Sequence, residues 1–172
     1  TTAMITNRII HISFISFLYN YILLWMTYVC NKNNCCIINV VIYMAVKTNA
    51  MRLLDKLKVE YGVVEYPCKE AMDGIEVAKK LNADVICVFK TLVTIAPSKN
   101  HYVFILPANK ELDLKLCAKA VNEKSIEMIP MKTLLPTTGY VRGGCSPFAM
   151  KKVFPTIIDQ SISNVDKVYV SG

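Results

Sequence analysis

Val85-Ile86-Cys87-Val88-Phe89-Lys90-Thr91-Leu92-Val93-Thr94-Ile95 stands near the middle of a chain of 172 residues. It is rich in β-branched and aromatic side chains, which predicts one long β-strand. Strand side chains alternate between faces. Ile86, Val88, Lys90, Leu92 and Thr94 therefore share one side, and Cys87, Phe89, Thr91, Val93 and Ile95 the other. Both sides are mainly apolar, as in a strand at the heart of a core. Lys90 breaks the pattern. A desolvated ammonium costs several kcal/mol, the order given for buried ions, unless it is paired or faces a cavity. Two readings follow. Either the strand lies near an edge and the lysine stem snorkels to water, or Lys90 points into a cleft that uses a cation.

Outward from this run the chain is well patterned. Ala96-Pro97-Ser98-Lys99-Asn100 is a turn, and His101–Pro107 reads as the partner strand of a hairpin. Upstream, Ala50, Leu53, Leu54 and Leu57 fall on one helical face behind a cap at Thr48 or Asn49. Val63–Tyr66 is a short strand stopped by Pro67. Asp73 and Glu76 have capping-box spacing and open a helix that runs to Asn82. Downstream, Asp113 caps a helix with Leu116, Cys117, Ala120 and Val121 on its buried side. Ile126–Ile129 predicts a strand, and Pro130 the start of a short helix through Leu135, ended by Pro136. Strands at 153–158 and 167–170 complete the pattern. Strands and helices mix without regular βαβ alternation, so the expected fold is α+β, with a mixed, barrel-like sheet and flanking helices.

Residues 1–43 hold Arg8 and Lys32 and no acid, which leaves 18 basic against 13 acidic residues beyond them, a net charge of +5. That balance suits RNA or another polyanion without requiring one; solvated lysines would look the same. Residues 9–31 carry no Asp, Glu, Lys or Arg, a length sufficient for a membrane helix, although His11, Ser13, Ser16, Asn20 and Thr27 dilute it. The Ile-, Asn-, Tyr- and Phe-rich composition and the opening Thr-Thr-Ala-Met favour upstream sequence over an anchor. The expectation is an apolar extension, 1–43, outside a domain spanning 44–172 and starting at Met44. Seven cysteines at irregular spacing, with no Cys-x-x-Cys and only two histidines, give no zinc site. Free thiols point to a reducing compartment, the cytoplasm.

Gly143-Gly144 is the second informative spot. Paired glycines admit close approach of a ligand, and successive backbone N–H groups can hold an anion or a developing oxyanion. A plain turn is the competing reading. The chain has no phosphate loop of the Gly-x-x-x-x-Gly-Lys-Ser/Thr kind and no Gly-x-Ser-x-Gly elbow. A Ser-His-Asp triad would have to use His101, at a turn-to-strand junction. Cys145 is a conceivable nucleophile but lacks a histidine partner.

The runs VFKTLVT (88–94), LDLKLCAKAV (112–121), TTGYVRGGCSPFAMKK (137–152), FPTIID (154–159) and VYVSG (168–172), taken in order, resemble the YbaK/EbsC family, which is related to the editing domain of bacterial prolyl-tRNA synthetases. The resemblance covers residues 48–172. It implies a curled mixed sheet and trans-editing hydrolysis of mischarged aminoacyl-tRNA, chiefly Cys-tRNA(Pro), sometimes beside prolyl-tRNA synthetase, with no cofactor and no metal. The family's lysine falls on Lys90 and its neighbouring threonine on Thr91. Tyr66 and Ser171 match pocket positions, and Gly143, Gly144, Ser146 and Pro147 the loop that receives the aminoacyl end.

The resemblance also implies attack by the substrate's own thiol on its ester carbonyl, with Lys90 and the amides of Gly143 and Gly144 as the catalytic groups. Arg142, Lys151 and Lys152 would meet acceptor-stem phosphates, and Tyr140 or Phe148 would stack on an unpaired base. Two departures stand out. Relatives continue beyond the VSG motif, so the domain is expected to be C-terminally truncated at Gly172. A phenylalanine that lines their pocket aligns near Asp73. The competing functions are an Ala-tRNA(Pro) deacylase and a non-catalytic tRNA- or synthetase-binding module.

Overall fold

The computed structural model describes residues 5–13, 47–68 and 72–172. Its centre is a hairpin of β3 (Phe89–Ile95) and β4 (His101–Pro107), in register from Phe89 opposite Pro107 to Ile95 opposite His101. The turn closes through Lys99 N–H to Ala96 O, 2.8 Å, and Ala96 N–H to Asn100 O, 2.9 Å. β5 (Glu127–Met128) pairs antiparallel with β3, and β6 (Thr156–Ile158) parallel with β4. The result is a mixed four-stranded sheet of order β5-β3-β4-β6.

A second, antiparallel sheet has the order β2-β1-β7, from β1 (Ile5–Ser13), β2 (Tyr61–Cys68) and β7 (Lys167–Ser171). A parallel bridge between Val88 and Tyr169 joins the two sheets. The mixed α+β architecture expected from the sequence is present, but the curled sheet does not close into a barrel.

Four helices are found among the described residues: α1 (Asn49–Lys56), α2 (Gly74–Leu81), α3 (Leu114–Ala120) and α4 (Met131–Thr138). α1 is capped by Thr48, whose Oγ1 accepts from Met51 N–H at 3.2 Å, and it buries Ala50, Met51 and Leu54. The main core packs Ile10, Leu54, Phe89, Val93, Val103, Ile105, Val168 and Val170 between the sheets and α1. Just before β3, Val88 packs with Tyr66, Val77, Ala78 and Ala108 beneath α2. Along β3, Phe89 and Val93 are buried in the main core, whereas Lys90 and Leu92 on the other face are half-buried and Thr94 is buried.

Several expectations are corrected. The strand begins at Phe89 rather than Val85, because Asp84 accepts a hydrogen bond from Ile86 N–H and winds Val85–Cys87 into a 3₁₀ turn. Ile86 is consequently 48% exposed, not a core residue. Asp73 stands at the N-cap of α2 but makes no side-chain cap bond, so the capping box is not formed. Leu116 is 63% exposed and Ala118 is the buried residue of α3, because the helix sits rotated from the expected face. Pro136 lies inside α4, which ends at Gly139 with φ 87°. Residues 1–43, set apart from the domain by composition, contribute Ile5–Ser13 to the sheet, with Ile10 wholly buried. Residues 14–46, with most of the uncharged stretch, lie outside the described residues. No helix among the described residues is long and apolar enough to cross a membrane.

Candidate active site

Lys90 faces a cleft of ≈ 600 Å³. Separated parts of the chain meet there: β3, β2 at Tyr66, the start of α2, β5, α4 with the loop after it, and the end of β7. The ammonium donates to Ala108 O at 3.1 Å, which fixes the side chain just beyond the end of β4, at the open end of the hairpin. Ala108 is held in turn by its own N–H, donating to Val88 O at 2.7 Å. Met72, Val77, Met128, Ile129 and Leu134 supply apolar wall, and Arg142 a second cation.

The loop between α4 and β6 is built from its own side chains. Thr138, fully buried, donates its hydroxyl to Leu134 O at 2.8 Å and accepts from Tyr140 N–H at 3.1 Å. Tyr140 donates its phenol to Phe148 O at 2.7 Å, and Ser146 Oγ accepts from Phe148 N–H at 3.3 Å. Gly143 adopts φ 83°, a conformation in which a side chain would be strained. Ser171 donates to Gly143 O at 3.5 Å, tying the loop to β7.

The sequence-predicted residues divide accordingly. Lys90, Thr91, Gly143, Tyr66 and Ser171 line one cleft. Gly144, Tyr140, Ser146 and Pro147 do not line it. Gly144 N–H donates to Val141 O at 3.2 Å and is already committed to a turn. Ser146 is fully buried, and Tyr140 is held by its hydroxyl, so both brace the loop. Phe148 is 1% exposed and belongs to the core, where no base can stack on it. Lys151 donates to Leu135 O at 3.4 Å near the end of α4, the usual place for a cation on a helix. Met72, Met128 and Tyr169 also line the cleft. Nothing in the sequence marked them, because their roles depend on which distant elements meet.

The chemistry available is narrow. Burial pushes the Cys145 thiol up to about 12, so it stays protonated at neutral pH and is no nucleophile. His101 packs against Phe154, with ring centroids 5.8 Å apart, and does not line the cleft. Thr91 Oγ1 is, among the described residues, the one buried side-chain nitrogen or oxygen left without a hydrogen-bond partner. An orphan hydroxyl beside Lys90 is a cost to the fold with no structural return. The cleft can thus hold and polarise a carbonyl, but its described lining offers no histidine base and no thiolate.

Residues 68–172 match the aminoacyl-tRNA editing domain family. The chain is 43% identical over 127 residues to a protein of Enterococcus faecalis (strain ATCC 700802 / V583) named "Putative Cys-tRNA(Pro)/Cys-tRNA(Cys) deacylase EbsC", across 73% of this chain and 77% of that protein. Among solved structures, "a putative trans-editing enzyme for prolyl tRNA synthetase" is similar with a TM-score of 0.58 at 19% identity, over 73% of this chain and 87% of its own. A hypothetical protein is similar with a TM-score of 0.55 at 21% identity, over 60% and 69%. At such identities these two structures speak to the fold alone.

Proposed function

The chain belongs to the aminoacyl-tRNA editing domain family, and from that premise we propose that it is a trans-editing hydrolase that clears cysteine from mischarged Cys-tRNA(Pro). The carrying observation is that Lys90 and Gly143 line one cleft, whose described residues offer neither a histidine base nor a thiolate. An aminoacyl ester is already activated, so positioning and charge stabilisation go far towards breaking it. The missing nucleophile comes from the substrate. Its thiol, losing a proton to water, attacks the ester carbonyl. The carbon–oxygen bond to the ribose breaks, the ribose oxygen takes up a proton, and the cysteine leaves as a cyclic thioester that water opens.

Lys90 holds the carbonyl oxygen as negative charge develops there. Gly143 lets backbone approach the reacting ester, Thr91 supplies a hydroxyl without a prior partner, and Tyr66 and Ser171 bound the side-chain end. Tyr140, Ser146 and Pro147 act by bracing the loop, as does Gly144 through its turn. Arg142 sits at the cleft where the terminal nucleotide's phosphate would pass. Prolyl-tRNA synthetase is the natural partner, since it makes the mischarged product. The test is deacylation of cysteinyl-, alanyl- and seryl-tRNA on one proline tRNA. Clearance of the cysteinyl ester with persistence of the seryl ester supports the reading. Clearance of alanyl-tRNA in preference would make the protein an alanine editor, and equal clearance of cysteinyl and seryl esters would require water as nucleophile and a base to activate it.

A further inference from the structure

Every aminoacyl ester carries an ammonium group on the carbon next to the carbonyl that is cleaved, and the chemistry above assigns it no partner. Among the described residues lining the cleft, Lys90 and Arg142 are cations and would repel it, whereas Asp73 is the one carboxylate. Asp73 occupies the N-cap of α2 with the extended backbone of a capping residue, φ −68° and ψ 147°, and its carbonyl accepts from Val77 N–H at 3.0 Å, yet its carboxylate makes no cap hydrogen bond to the helix. The contrast with its counterparts is informative. Thr48 accepts from Met51 N–H, Asp84 from Ile86 N–H, Asp113 from Lys115 and Leu116 N–H, and Asp159 from Ser161 N–H. An unengaged cap forgoes stabilisation that the same residue type collects elsewhere in the chain. Asp73 is therefore not explained by the helix it precedes, and it lines the cleft in which a cationic ligand group is expected.

Resting on the deacylase reading, we propose that the Asp73 carboxylate binds the α-ammonium of the aminoacyl ester and so makes the protein selective for esters that carry a free α-amine. The ammonium donates to Asp73 at one side of the cleft while the carbonyl oxygen meets Lys90 at the other. The two contacts fix the acyl carbon between charges of opposite sign, and a charge-assisted bond of this kind is among the stronger ones available to a partly exposed group.

The experiment compares the full chain with Asp73→Asn on two esters of the same tRNA: cysteinyl, and 3-mercaptopropionyl, which keeps the thiol and lacks the amine. Asparagine preserves the size of the side chain and is an equally good cap, so the fold should be unaffected. The expected result is a fall in kcat/KM of about tenfold or more on cysteinyl-tRNA, equivalent to about 1.4 kcal/mol, with the deaminated ester unchanged within about twofold. An equal fall on both esters, or no fall on cysteinyl-tRNA, overturns the assignment of Asp73 while the deacylase reading stands. Failure of the parent protein to clear any aminoacyl-tRNA overturns the deacylase reading and the assignment together.

Discussion

Replacing Thr91 by valine should stabilise the protein while it impairs deacylation. The two side chains have nearly the same shape, and both suit a strand. The change therefore removes one hydroxyl, whose oxygen is buried and has no hydrogen-bond partner. An unsatisfied buried polar group costs about 1–3 kcal/mol, and valine relieves that cost. For a chain of this size the gain corresponds to a rise in Tm of about 2–4 °C per kcal/mol. Thr94, three residues along the same strand, is the built-in control. It is fully buried, and its hydroxyl donates to Tyr102 O at 3.4 Å. Thr94→Val deletes a made bond and should lower stability by about 0.5–1.5 kcal/mol. The assay is thermal or urea unfolding of both variants beside the parent, followed by deacylation of cysteinyl-tRNA. Opposite signs are required. A fall in stability for Thr91→Val would mean that its hydroxyl is engaged, and unchanged deacylation would remove it from the site.

Lys90→Met keeps the aliphatic stem and loses the charge; kcat should fall about 10²–10³-fold, as when one donor to a developing oxyanion is deleted, with melting little changed. Gly143→Ala should be strained by its positive φ, whereas Gly144→Ala should fold normally, since a Cβ there meets nothing closer than Val141 Cγ2 at 3.8 Å. Circular dichroism melts of the pair separate the two. Cys145→Ala should retain deacylation, because the buried thiol is protonated; loss of turnover with an intact fold would restore it as a nucleophile. Affinity for tRNA should fall steeply with salt if phosphate contacts dominate, and a flat dependence would argue against an RNA substrate.

What the sequence disclosed was what local physics governs. The β3–β4 hairpin follows from two β-branched runs around Pro97, and α1 from its apolar spacing and a threonine cap. Lys90 stood out because a lone cation among Val88 and Leu92 demands an explanation. The misreadings arose where one local rule displaced another. Asp84 caps a 3₁₀ turn at residues that otherwise look like strand, and Pro136 is tolerated in the helix that it was expected to end. The loop residues were harder. Gly144 resembles an anion-binding amide until the carbonyl of Val141 is seen to occupy it, and Phe148 resembles a stacking platform until the core closes over it. Composition likewise set Ile10 apart from a domain whose interior it enters. Which hydrogen-bond partner reaches a group first is a tertiary fact, invisible in spacing.

The contact between Gly74 and Ala108 acts as a gauge for the cleft. A methyl group at residue 74 would lie 2.5 Å from Ala108 Cβ, far inside van der Waals contact, so α2 can sit this low only on a glycine. Ala108 is also the residue whose carbonyl holds the Lys90 ammonium. One small-residue contact thus sets the span between the carboxylate at the tip of the helix and the lysine on the strand. Adding one methyl would widen it by about 1 Å, a misplacement of the size that can cost catalysis a hundredfold. Substrate size could therefore be tuned from the helix side, by side-chain bulk at the contact between residue 74 and Ala108.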